Sequence, residues 1–154
     1  MGAVTASVQP ETHRERKGMD RKAMIQAAVT GYFDGLAAKD FERIPFASTI
    51  SLRAPLAPGG SHHPIVGRET VREMWWSPLP AVLGEVVCSG VYFDDALTGA
   101  VGTGEVEILI DPPVRLRVAD RFTIDEHGLI IEQENHFDPR DVTNPGWRTI
   151  DPSP

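Results

Sequence analysis

The chain has 154 residues, the length of a single domain, and its 41% hydrophobic and 24% charged residues are those of a globular protein with its own core. A formal charge of −7 argues against nucleic acid or an anionic membrane surface as partner, because both call for a basic face. The single cysteine, Cys88, excludes an internal disulfide and any CxxC motif, and no apolar run approaches the roughly 18 residues that span a bilayer.

Residues 1–19 are polar, contain Pro10 and carry the charged run His13-Arg14-Glu15-Arg16-Lys17, which predicts a solvated, disordered tail. They hold no apolar stretch of signal-peptide length, so a cytoplasmic location is expected. Residues 20–38 predict a helix capped by Asp20. Met24, Ala28, Tyr32 and Leu36 recur along one face, flanked by Ile25, Val29 and Phe33. A short turn over 40–44 stops at Pro45, and 49–53 alternates like a strand. The Gly/Pro-rich stretch 55–64 reads as a loop, and 67–76 as a further helical segment with one of Trp75 and Trp76 turned inward beside Val71.

The pattern then changes from helical to alternating. Segments 84–93, 99–110, 114–125 and 129–137 are rich in strand formers and joined by tight turns, which predicts a curved antiparallel meander. Helices first and strands after imply an α+β domain over 20–138, with helices over residues 20–76 packed on one face of a sheet over 84–138. Residues 139–154 contain four prolines and predict an irregular C-terminal tail pinned by Trp147.

The stretch 114–124 is the most informative chemically. One face carries Val114, Leu116, Val118, Asp120, Phe122 and Ile124, so a carboxyl group sits in an apolar row. Burial disfavours the charged form, and a neutral acid in an apolar site can donate a hydrogen bond to an oxyanion. A structural aspartate bonded to a backbone amide or an arginine is the competing reading. Tyr32, on the apolar helix face, reads taken alone as a core residue with its hydroxyl bonded nearby. In the last strand Ile131, Gln133, Asn135 and Phe137 share the less charged face, which brings two amides into the interior. His62 and His63 lie in the loop with no matching carboxylate spacing, so no metal site is expected.

Three stretches carry a resemblance. Gly31-Tyr32-Phe33 through Asp40-Phe41 is similar to the first helix and turn of the nuclear transport factor two-like superfamily, with Lys39 where a glycine is usual. Gly67 through Trp75 resembles its third helix, and Asp120-Arg121-Phe122 through Asp138 its last hairpin. The superfamily includes ketosteroid isomerases, limonene epoxide hydrolases and SnoaL-like cyclases. The resemblance implies a cone-shaped barrel: a strongly curved antiparallel sheet against N-terminal helices, around a deep apolar pocket.

It also implies roles. Tyr32 and Asp120 fall where a ketosteroid isomerase has its oxyanion-site tyrosine and neutral aspartic acid, and Trp75 and Phe137 where it has pocket aromatics. Ala54 stands where that family has its base. Against an epoxide hydrolase, Val118 and Asn135 replace an arginine and an aspartate. The expected catalytic set is Tyr32, Asp120 and Asn135. Trp75, Val118, Phe122, Gln133, Phe137 and His63 are expected to bind substrate, and the base is Glu105, Glu107 or His63. The expected activity is a cofactor-free isomerase, cyclase or hydrolase acting on a small apolar carbonyl or polyketide-type molecule. The alternative is a non-catalytic binding or dimeric assembly domain. Strand residues that are apolar on more than one face, among them Val106, Ile108 and Leu109, suggest a homodimer.

Overall fold

The computed structural model describes residues 13–149. The expected disordered tail lies outside the described residues over 1–12, and the last part of the C-terminal tail over 150–154. Helix α1 (His13–Ala38) begins at His13 rather than at Asp20, so part of the expected tail is helical. Ile25, Ala28, Val29, Tyr32, Phe33 and Leu36 form its buried stripe, at the spacing that the sequence pattern predicts. The helix ends through Lys39, whose φ of +54° is left-handed, and Asp40 donates its N–H back to the Gly35 carbonyl at 2.9 Å. A residue with φ in this region is where glycine fits without strain.

Six strands follow: β1 (Phe46–Arg53), β2 (Ile65–Val66), β3 (Leu83–Phe93), β4 (Gly99–Ile108), β5 (Val114–Ile124) and β6 (Ile130–Glu134). They form one sheet in the order β2-β1-β6-β5-β4-β3. The meander β3 to β6 is antiparallel as expected, whereas β1 runs parallel to β6. The strand β2 falls in a stretch too short to show alternation. The sheet curls without closing, because edge strands β2 and β3 do not pair, so the expected barrel is an open one.

Helix α2 (Arg68–Val71) runs on as a π-helical turn, Arg72–Trp76, in which Ser77 donates to the Arg72 carbonyl at 3.0 Å. The wider turn buries both Trp75 and Trp76, where a regular helix would have turned only one inward. A last helical turn, α3 (Arg140–Thr143), lies in the C-terminal segment expected to be irregular. Trp147 closes that segment on itself by donating to Asp141 Oδ1 at 2.9 Å, with Arg140 and Arg148 over its ring.

Two devices hold α1 on the inner face of the sheet. Arg21 donates to the carbonyls of Leu97, Ile124 and Asp125, tying the helix to two strand turns. A Cβ at Gly102 would lie 2.7 Å from both Val29 and Phe33, so β4 offers a notch into which the helix sinks. No helix among the described residues is long and apolar enough to cross a membrane.

Candidate functional site

The notch at Gly102 sets the position of Tyr32. Gly102 pairs with Asp120 across β4 and β5, and α1 presses Val29 and Phe33 onto the same spot. Tyr32 therefore comes down beside Asp120. The pairing of Arg121 with Glu134 places Asn135 opposite Asp120 on the neighbouring strand. Two backbone bonds fix these positions: Ala119 donates to the His136 carbonyl at 3.0 Å, and Asn135 donates to the Arg53 carbonyl at 2.9 Å.

The Tyr32 hydroxyl has the side chains of Asp120, Gln133 and Asn135 as its hydrogen-bonding neighbours. All four residues are buried, Asp120 at 2% exposure. Loss of water pushes the Asp120 carboxyl up to about 7, partly opposed by the backbone N–H of His136, 3.3 Å away, and by Tyr32. The same burial, with the Asp120 charge alongside, holds the Tyr32 phenol well above its ordinary value, so it stays protonated. Gln133 Nε2 donates to Asn135 Oδ1 at 2.6 Å, which turns the Asn135 amino group away from Gln133. Gln133 Oε1 is buried without a partner. With a carboxyl group protonated below about pH 7, a phenol and an amide N–H in one corner, the cluster can supply hydrogen bonds to an acceptor oxygen.

This corner opens into a cavity of about 220 Å³. Its other walls are apolar and include Leu36, Trp75, Leu79, Val106, Leu116, Val118 and Phe137. Trp75 stacks on Tyr32 with ring centroids 6.2 Å apart. Six of the residues expected in the site line the cavity: Tyr32, Asp120, Asn135, Trp75, Val118 and Phe137. Phe122 stands behind Tyr32, edge to face at 5.1 Å, and Gln133 touches the cavity only through Asn135.

His63 does not reach the cavity. It follows the turn Gly60–His62 and is exposed to solvent. Glu105 and Glu107 face the other side of β4, where Glu105 pairs with Arg115 at 3.7 Å and Glu107 accepts the Glu85 N–H at 3.2 Å. Strand alternation puts them there: Val106 and Ile108 take the inner positions. None of the three expected bases is therefore in the site. Sequence reasoning missed Leu56, Met74, Leu79 and Val142, which line the cavity from loops and helix ends where no periodicity marks an inner face.

No family model and no curated protein matches the chain. Solved structures do. Rv0760c from Mycobacterium tuberculosis, in complex with estradiol-17beta-hemisuccinate, is 15% identical over 75% of this chain and 94% of its own, with a TM-score of 0.63. SalBIII, an epoxide hydrolase/cyclase-like enzyme of pyran ring formation in salinomycin, is 19% identical over 82% and 96%, at 0.64. The Δ5-3-ketosteroid isomerase of a Mycobacterium species is 16% identical over 75% and 93%, at 0.62. The chain has the fold of these three proteins.

Proposed function

We propose that the chain is a cytoplasmic, cofactor-independent enzyme of isomerase, cyclase or hydrolase type that takes a small apolar carbonyl or polyketide-type substrate. Tyr32 and Asp120 polarise the substrate oxygen, and Asn135 assists. The observation that carries this reading is the meeting of Asp120 and Tyr32, both almost free of water, in the one polar corner of an apolar cavity. A donor aimed at an oxygen that gains charge in the transition state is worth far more there than in water. Asp120, titrating near 7, is protonated in about half of the molecules at that pH and in most of them below it, and the protonated form can hand its proton to that oxygen. With a ketone the simplest such step is enolisation. The oxygen takes the Asp120 proton, the carboxylate left behind takes a C–H proton from the carbon beside the carbonyl, and the restored acid exchanges with solvent when the ligand leaves.

The position of Glu105, Glu107 and His63 away from the cavity favours a second reading, a binding domain without catalysis. Deuterium exchange from heavy water into the carbons beside the carbonyl of a bound cyclic ketone separates the two. Wild-type protein is expected to accelerate the exchange. Asp120→Leu is expected to lose about 10²-fold or more of it. Asp120→Asn should keep the fold and much of the binding. Ketone binding without exchange by the wild type would favour the binding domain. A homodimer belongs to the same proposal, with the second copy over the outer sheet face, where Val87 and Tyr92 are exposed.

A further inference from the structure

The cavity limits what can reach the oxygen site. Its volume of about 220 Å³ lies between a cavity of about 150 Å³ that holds one benzene ring and the ~300–1,000 Å³ that house drug-sized ligands. The polarity is graded as well. Asp120 and Tyr32 are 2% exposed at the closed end, while the lining residues Leu56 and Met74 are 46% and 42% exposed at the open end. No Lys, Arg or His lines the cavity among the described residues, so nothing there would neutralise a carboxylate or phosphate on the ligand.

We infer that the ligand is a neutral two-ring ketone or a molecule of that size, which enters oxygen first and ends at the level of Leu56 and Met74. This rests on the oxygen site proposed above and adds the size and charge of the molecule. A third and fourth fused ring would stand past those two residues in water. They would add no buried area and hence no affinity. A one-ring ketone would leave part of the apolar wall uncovered, and the contacts of the second ring would be lost.

The test is a calorimetric titration of the full chain with three ketones sharing one cyclohexanone head: cyclohexanone, 2-decalone and the four-ring 5α-androstan-3-one. Affinity is expected to rise about tenfold or more from one ring to two, and not to rise from two rings to four. A further rise of about tenfold or more for the four-ring ketone would overturn the inference, as would failure of 2-decalone to bind. Ala57 lines the mouth and is only half-buried, so Ala57→Phe can narrow it without filling the core. That variant should weaken 2-decalone by about tenfold and leave cyclohexanone unchanged, whereas equal effects on both would contradict a limit set by size. The two proposals fail separately. Tight binding of 2-decalone without deuterium exchange leaves the size limit standing and removes the catalysis. Exchange on a four-ring ketone that binds more tightly than 2-decalone does the reverse.

Discussion

The proposed chemistry rests on Asp120 because, among the described residues, it is the buried carboxyl group. Its pKa of about 7 in the folded chain stands above the ordinary carboxylate value of about 3.9 in the unfolded one. The folded state therefore binds the proton more tightly. The stability due to the neutral acid is fully present below pH ~4 and is lost as pH rises through about 7. Asp120→Asn has no such proton to lose. In urea melts from pH 4 to pH 8 the wild type is expected to lose about 4 kcal/mol relative to Asp120→Asn, because each pH unit between the two pKa values is worth ~1.36 kcal/mol. Parallel stability curves for the two proteins would mean that Asp120 is solvated. Alternation alone made this residue legible in the sequence, because Val118 and Phe122 flank it on the same face. The orphaned Gln133 Oε1 was not legible, since parity gives a side but no hydrogen-bond partner.

At the scale of elements, glycine decides how closely α1 approaches the sheet. Gly102→Val would place a branched side chain where Val29 and Phe33 already lie within 2.7 Å of a Cβ. Chemical denaturation is expected to show a loss of about 1–3 kcal/mol from the strain of overpacking. Ketone affinity should fall too, because α1 carries Tyr32 away from Asp120. A variant that kept both stability and affinity would contradict the notch as the positioning device.

The long α1 and the four strands of the meander were legible because their periods run over many residues. The two-residue β2 was not, nor was the π-helical turn that buries both Trp75 and Trp76. Alternation also failed at a bulge in β6. There Ile124 pairs with Ile130 and Thr123 with Glu132, so Ile130 takes the interior place that simple parity gives to Ile131. The side of Glu105 and Glu107 turned on the register of β4, which no residue of the strand announces by itself. Once Val106 and Ile108 point in, both carboxylates point out.

At the scale of the molecule, an open curled sheet has two faces, and the long helix α1 covers one of them. The inner face closes on α1 and leaves the cavity; the outer face keeps Val87 and Tyr92 exposed along edge strand β3. Light scattering at micromolar concentration is expected to give twice the chain mass of 16.9 kDa, and Tyr92→Lys with Val87→Lys to shift it toward the single chain. A monomeric wild type would contradict the homodimer and leave the cavity untouched. The oxygen site itself is tested most directly by the carbonyl stretch of bound, carbonyl-labelled 2-decalone in infrared difference spectra. Donation from Tyr32 and Asp120 should lower the frequency below that of the ketone in water, and Asp120→Leu should move it back toward the value in a hydrocarbon solvent. A wild-type spectrum already at the hydrocarbon value would contradict the oxygen site at Asp120.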